Sequence, residues 1–177
     1  MKTQASQHGI TLVELAAVVA ITAILVGTAA PSLSDFIGLR RLEGAATQLA
    51  TDIQFVRTDT VARNQPLRIS FFSANDGSCY LIHTGPTAQC SCTASGAAQC
   101  SGDALALKAV QLPSRDRVSV AANAASILFD PLHGTSTPTA TVRVVGPQDR
   151  AIHHVVNVMG RVRSCSPQAT MPGYRAC

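Results

Sequence analysis

The sequence has no tryptophan, few other aromatic residues and few charges. Of its 177 residues, 4% are aromatic and 14% are charged, whereas 46% are hydrophobic. The scarcity of aromatic rings leaves little for stacking on nucleic-acid bases. The apolar residues suffice for a sizeable buried core, which excludes disorder as the general state. A chain of this length fits one folded domain.

The motifs that usually carry catalysis are missing as well. Ser, His and Asp occur without a recognisable nucleophile motif, and the sequence has no glycine-rich phosphate loop. The adjacent residues His153 and His154 would point to opposite faces of a strand, so they cannot bind one metal together. We therefore expect no enzyme activity, no cofactor, no metal site and no small-molecule substrate.

A long apolar run is present near the N-terminus. Residues 10–30 contain one ionisable side chain, Glu14, and follow a polar nine-residue leader with one lysine. As a helix with about 1.5 Å per residue, this run is about 32 Å long and matches a bilayer core of about 30 Å. The run therefore predicts a helix that spans a membrane once.

An ordinary secretory signal, cut after Ala30, is the alternative interpretation. Pro31 would then follow the cut directly, and its fixed ring is awkward for a protease that needs an extended substrate. A carboxylate within the run also costs about 2.5 to 3.5 kcal/mol unless a partner neutralises it. A plain signal peptide or stop-transfer helix has no reason to carry Glu14, which counts against this alternative.

These residues resemble the N-terminus of type IV prepilins. The matching features are a short leader that ends in Gly9, the segment Ile10-Thr11-Leu12-Val13-Glu14, and Pro31. The resemblance implies that a prepilin peptidase cuts between Gly9 and Ile10 and that Ile10 is then N-methylated. It also implies that Glu14 pairs with the terminal amine of a neighbouring pilin in a filament. The family often has Phe where this chain has Ile10, a departure from the usual pattern.

The resemblance also implies a location. The chain would be anchored in the bacterial inner membrane with its C-terminal head in the periplasm, and would join a pilus or pseudopilus after assembly. The positive-inside rule points the other way, because Arg40 and Arg41 outnumber Lys2. The cysteines agree with the implied location, since disulfides persist in oxidising compartments.

Beyond Pro31 the pattern predicts an amphipathic helix that packs on a sheet. Residues of its buried face recur at alternating spacings of four and three. They are Leu42, Ala46, Leu49, Ile53, Val56 and Thr60. Pro31 should bend the helix locally, and the helix should end near Asn64 because a proline follows two residues later. We expect a leader at 1–9, a helix at 10–64 and a β-rich head at 65–177.

The head should contain a mainly antiparallel sheet, since strands and helices do not alternate in it. Alternating and β-branched runs predict its strands. They are residues 67–72, 79–83, 105–112, 117–121, 126–129, 139–145 and 151–159. The stretch from Thr84 to Gly102 is expected to be an irregular loop held by disulfides. The expected fold is α+β and resembles type IV pilins.

Six cysteines, an even number crowded into loop-like sequence, favour disulfides. They are Cys79, Cys90, Cys92, Cys100, Cys165 and Cys177. Cys165 and Cys177 bracket a short proline-containing loop, so we expect a bridge that holds the C-terminal tail. Cys90 and Cys92 would face opposite sides of an extended segment, so each should pair elsewhere, and the pairing among the first four stays open. A zinc site formed by those four is the alternative, although the usual paired C-x-x-C spacing is missing.

The C-terminal part of the chain is basic, with five arginines against one aspartate from Arg143 onward. This balance hints at an anionic partner, although a solvated surface is the simpler interpretation. In an extended segment, Arg161 and Arg163 would project from one face about 6.6 Å apart, with Val162 turned inward and Gly160 letting the chain bend. Two guanidinium groups on one face suit phosphate oxygens.

The order of elements, with Phe129-Asp130-Pro131 before Gly134 and a later Gly160-Arg161-Val162-Arg163 near the end, is similar to the FimT/GspH-type branch of minor pilins and pseudopilins. In FimT-like minor pilins of naturally competent bacteria, a GRxR motif is associated with DNA binding during uptake, and this chain matches it at Gly160, Arg161 and Arg163. The additional arginines that would widen the basic surface are Arg143, Arg150 and Arg175. Contact would be nonspecific and mainly with the DNA backbone. The alternative is a GspH-like pseudopilin of a type II secretion system, with a structural role and no DNA binding.

Overall fold

The computed structural model describes residues 11–177 except 75, 94 and 170. The leader and Ile10 lie outside the described residues, so the cleavage and methylation expected at Gly9 and Ile10 stay predictions. The chain divides into two compact units, Met1–Ile37 and Gly38–Cys177.

One long helix, α1, extends over Leu12–Arg63 and is continuous through Pro31. Thr11 Oγ1 accepts a hydrogen bond from the Glu14 N–H at 3.3 Å, which satisfies one of the free donors at the start of the helix. At the other end Asn64 adopts a left-handed conformation with φ of 51°. The helix ends there, as the sequence predicted. Gln65 comes directly before Pro66, and the residue before a proline disfavours helical geometry.

The part of α1 in the first unit is apolar and exposed. Its most apolar 18-residue window has a mean hydropathy of 2.3, and none of that window is buried. By length and composition this helix can cross a membrane.

The described residues form eleven β-strands, all in the second unit. They are β1 Leu67–Ala74, β2 Gly77–His83, β3 Cys90–Cys92, β4 Ala98–Cys100, β5 Ala106–Pro113, β6 Ser119–Ala122, β7 Ser126–Phe129, β8 Ser136–Thr137, β9 Ala140–Val145, β10 Ala151–Val156 and β11 Val162–Cys165. A five-stranded sheet has the order β5-β2-β1-β7-β8 and a four-stranded sheet the order β11-β10-β9-β6, while β3 and β4 form a separate hairpin. All these strand pairs are antiparallel, as expected.

The core of the second unit lies between α1 and the two sheets. The six helix residues predicted to share a buried face are each at most 1% exposed, which confirms that prediction. They pack with apolar side chains of the five-stranded sheet, such as Ile69 and Phe129, and of the four-stranded sheet, such as Val142 and Ile152. The amphipathic period of the helix therefore fixes which side faces the sheets.

Several strands differ from the sequence expectations. The segment Thr84 to Gly102, expected to be irregular, contains the β3–β4 hairpin, and the short strands β8 and β11 were not predicted. The expected strand 151–159 ends at Val156, because the chain turns back over residues 157–161. Expected strand 117–121 begins at Ser119, since Arg117 is in a left-handed conformation that ends a short 3-10 helix.

The six cysteines form three disulfides. Cys165 is bonded to Cys177, the pairing expected from the sequence. The pairing left open is resolved as Cys79 with Cys92 and Cys90 with Cys100. Cys90 and Cys92 thus pair elsewhere, and the four sulfur atoms considered for zinc are all used in disulfides.

Candidate nucleic-acid interface

The four-stranded sheet brings two basic side chains onto one face. In its register, Cys165 of β11, His153 of β10 and Arg143 of β9 lie in one row across the strands. Arg163 lies opposite Val155, two residues further along β10. The alternate residues Val142, Val144, Ile152 and Val156 are buried in the core, so Arg143, His153 and Arg163 point to the outer face.

A tight turn between β10 and β11 presents Arg161. The Asn157 N–H donates to the Arg161 carbonyl at 3.2 Å, and the Gly160 N–H donates to the Asn157 carbonyl at 2.8 Å. Gly160 has φ of 69°, a conformation that favours glycine. Arg161 is exposed and precedes β11, and half-buried Val162 packs on the core before exposed Arg163. The side chains of Arg161 and Arg163 therefore project from the same side of the chain.

Asn157 is a structural residue of this site that the sequence analysis missed. Its Oδ1 accepts a hydrogen bond from the Arg161 N–H at 3.0 Å, in addition to the two backbone bonds of the turn. An Asn three residues before a Gly, between two strands, is a turn signal that would have revealed it. Asn157 holds the backbone of Arg161 in place.

The structure does not bring all five basic candidates together. Arg150 precedes β10 at the end remote from the turn, about 17 Å along the strand from the position opposite Arg163. It is therefore outside the cluster. Arg175 lies near the other end of β11, where its carbonyl accepts a hydrogen bond from the Ser166 N–H at 2.8 Å, and its side chain is exposed.

The outer face of the four-stranded sheet has no acidic residue. Its outward positions in the register are Ser119, Ala121, Thr141, Arg143, Val145, Ala151, His153, Val155, Arg163 and Cys165. Within the described part of the chain, Arg143, Arg161 and Arg163 form no ion pair. We call Arg143, Arg161 and Arg163 the basic cluster. Its positive charge therefore has no acidic counterpart among the residues that the structure describes.

His153 lies within the same face but adds no charge at neutral pH. Partial burial lowers the pKa of His153, and the adjacent positive charge of Arg143 lowers it further. The ring is therefore neutral at pH 7, and it lies 3.8 Å from Cys177 Sγ through Nδ1. The positive field of this face thus comes from the arginines.

The N-terminal candidates lie in the other unit. Glu14 occupies the first turn of α1 and is exposed, and its carboxylate has no cationic partner among the described residues. Pro31 is within the continuous helix. A carboxylate in the first turn also benefits from the positive end of the helix dipole.

Comparison with known proteins identifies the family. The family described as type II transport protein GspH matches residues 45–160, and the prokaryotic N-terminal methylation motif matches residues 4–30. Arg161 and Arg163 lie just beyond the first match. No functionally curated protein matches the chain by sequence.

A solved structure, that of a minor pilin, shows a similar fold. The type IV minor pilin FimU of Pseudomonas aeruginosa is 19% identical with a TM-score of 0.52, over 73% of this chain and 94% of FimU. The minor pseudopilin EpsH from the type 2 secretion system of Vibrio cholerae is 11% identical with a TM-score of 0.46, over 72% of this chain and 98% of EpsH. Because the GspH match covers more than half of the sequence, the chain belongs to the family described as type II transport protein GspH.

Proposed function

We propose that the chain is a minor pilin of a type IV pilus that binds the DNA backbone, without sequence preference, during DNA uptake in natural transformation. The observation that carries this proposal is the basic cluster on an outer face without acidic residues. Gly160 permits the turn that presents Arg161. Arg175 lies near the other end of β11, the strand that contains Arg163.

Backbone contact fits the chemistry of this face better than base readout. Guanidinium groups bind phosphate oxygens in a bidentate manner and keep their charge at all relevant pH values. The face offers no Phe, Tyr, Trp, Asn or Gln among its outward positions, so it has no set of side chains for reading bases. Binding would therefore depend on phosphate charge and weaken steeply with salt.

The proposal predicts a specific loss of binding in the double variant Arg161→Gln with Arg163→Gln. The detergent-solubilised full chain would be titrated against two unrelated 30-base-pair duplexes, with fluorescence anisotropy as the readout. At low salt we expect affinity to fall at least about tenfold, and the slope of log K against log salt to shrink by about 1.8, or about 0.9 per lost phosphate contact.

The matched control is Arg115→Gln with Arg117→Gln. Both arginines are exposed, and they precede β6 at the end of the four-stranded sheet remote from the turn. Their replacement removes the same amount of positive charge as the Arg161/Arg163 double variant. The control should bind both duplexes like the unmodified chain. Equal losses in the two double variants would indicate general charge attraction, and unchanged binding in the Arg161/Arg163 variant would refute the proposal.

The same proposal includes processing and assembly at the N-terminus. A prepilin peptidase would cut between Gly9 and Ile10, leaving an N-methylated Ile10 at the start of a chain held in the inner membrane with its head in the periplasm. Glu14 would pair with that amine on a neighbouring pilin, because a carboxylate in an apolar environment needs a cationic partner. The intact mass of the native chain should correspond to residues 10–177 plus one methyl group; a chain beginning at Met1 or Pro31 would contradict this.

A pseudopilin of a type II secretion system is the second candidate, and the description of the matching family favours it. Such a protein would have the same processing and a structural role in a short periplasmic filament, without DNA binding. The salt-dependent DNA titration therefore separates the two candidates.

A further inference from the structure

Arg57 of α1 lies directly beneath the turn that presents Arg161. Its Nε donates a hydrogen bond to the Gly134 carbonyl at 3.2 Å. A Cβ atom added to Gly160 would lie 2.8 Å from Arg57 Cδ and 3.0 Å from Arg57 Nε. The missing side chain of Gly160 thus lets a guanidinium group from the helix sit against the backbone immediately before Arg161.

The guanidinium group of Arg57 uses only one of its nitrogen atoms in hydrogen bonds to the described residues. Its Nε is occupied by Gly134, but its two terminal nitrogens have no hydrogen-bond partner within the described ranges. The side chain is half-buried and borders a shallow depression of about 290 Å³, which Thr58 and His133 also line. The two terminal nitrogens of this planar cation are suited to the oxygens of a phosphate group.

The surroundings of Arg57 are tied together by hydrogen bonds. The Gly134 N–H donates to the Asp130 carbonyl at 2.9 Å, and Ser136 Oγ donates to the Asn157 carbonyl at 2.6 Å. The loop that anchors Arg57 is thereby fastened to the turn that presents Arg161. A guanidinium group fixed through Nε loses less side-chain freedom when it binds a ligand.

One acidic residue, Asp130, lies in the same loop. Its carboxylate accepts hydrogen bonds from the Leu132 and His133 N–H groups at 3.0 Å each, and Nδ1 of His133 lies 3.4 Å from it. The His133 N–H in particular lowers the pKa of Asp130, so this carboxylate is charged at neutral pH. Its charge is directed at its own loop, and it forms no ion pair with Arg57.

We propose that Arg57 is a further phosphate-binding residue, which extends the basic cluster from the outer face of the sheet onto the helix. A DNA strand held by Arg163 and Arg161 would place a neighbouring phosphate on the terminal nitrogens of Arg57. This inference rests on the proposed DNA binding, and it assigns to α1 a role in ligand contact besides its role in the core.

The test compares Arg57→Gln and Arg57→Lys in the detergent-solubilised full chain, with the same duplexes and salt series. Arg57→Gln should weaken binding about fivefold at low salt and reduce the salt slope by about 0.9, since one phosphate contact is lost. Arg57→Lys should recover most of the slope, because the charge returns, but only part of the affinity, because an ammonium group cannot bind in a bidentate manner. Arg115→Gln removes one charge elsewhere and should change neither quantity.

The salt slope distinguishes phosphate contact from mere positioning. If Arg57→Gln lowers affinity with an unchanged slope, while the amide resonances of residues 157–163 shift, Arg57 only supports the turn and the inference is overturned. An Arg57→Gln chain that binds like the unmodified protein overturns it as well, although the proposed function stands if the Arg161/Arg163 variant has lost binding. Should that double variant also bind normally, the proposed function itself fails.

Discussion

The buried polar side chains packed against the five-stranded sheet differ from the exposed arginines of the four-stranded sheet in where their partners lie. Against the five-stranded sheet, buried Asp52 of α1 accepts hydrogen bonds from Tyr80 Oη at 2.7 Å and Lys108 Nζ at 2.6 Å. In the same sheet, Nδ1 of buried His83 donates to the Thr84 carbonyl at 2.8 Å. The four-stranded sheet instead presents arginines that have no acidic partner within the described residues.

This difference separates structural polar groups from groups available to a ligand. Burial lowers the pKa of His83, so its ring is neutral at neutral pH. Because Nδ1 of this neutral ring donates to a carbonyl, Nε2 accepts, and Ser70 Oγ lies 2.8 Å from it to donate. Burial raises the pKa of Tyr80, and the hydrogen bond to Asp52 raises it further, so the phenol keeps its proton and serves as a donor. Every buried group in this set has its partner inside the protein, as burial requires. The exposed arginines are in contact with solvent and need no partner inside the protein.

The largest effect on this comparison is expected from Asp52→Ala. The substitution leaves the buried Tyr80 hydroxyl without its acceptor and removes the ion pair with Lys108, which together should lower the free energy of unfolding by about 3 kcal/mol. DNA affinity should stay unchanged, because the basic cluster is on the other sheet. Thermal unfolding followed by circular dichroism, together with the duplex titration, measures both quantities.

Glu43→Ala is the matched control for Asp52→Ala. Glu43 lies on the same helix and pairs with Arg40 at 2.9 Å, but the two side chains are 39% and 62% exposed. Its removal should cost at most about 0.5 kcal/mol, as is usual for exposed pairs. Similar losses in the two variants would contradict the claim that the Asp52 contacts are a structural element of the head.

The sequence predicts the helix and its buried face well because that face depends on a local period. Positions 42, 46, 49, 53, 56 and 60 share one side of any regular helix, and the structure buries all of them. The β3–β4 hairpin was not predicted because its strands lack a local signal: they consist of Cys, Ser, Ala and Gln, without β-branched residues. Its stability comes from disulfides whose pairing depends on the fold.

The candidate site is less predictable because it depends on strand register and on contacts between distant residues. The sequence offered Arg143 and Arg150 as equivalent candidates. The β10–β11 register places Arg163 opposite Val155 and the β9–β10 register places Arg143 opposite His153, whereas Arg150 precedes β10 at its far end. The contact between Arg57 and Gly160 joins a helix to a turn far along the chain, and no local pattern in the sequence indicates it.

A smaller effect is expected from Gly160→Ala, which tests how the turn supports the basic cluster. The positive φ of 69° is costly for alanine, and the added methyl group would also lie 2.7 Å from the Gly134 carbonyl oxygen. We expect the free energy of unfolding to fall by about 2 kcal/mol, from conformational strain and close contact together. DNA affinity should fall with it, because the turn that orients Arg161 must shift, whereas the Asp52 contacts should be unaffected.

Gly173→Ala isolates the conformational part of this loss. Gly173 has a similar φ of 83°, but an added methyl group there would meet no described atom within 4 Å. It should cost about 1 kcal/mol, the usual penalty for alanine at such a position, without a change in DNA affinity. If both alanine variants lose the same stability and bind DNA equally well, then the packing of Gly160 against Gly134 and Arg57 does not orient Arg161. The arginines of the four-stranded sheet would in that case act as independent surface charges, in contrast to the fixed contacts of the five-stranded sheet.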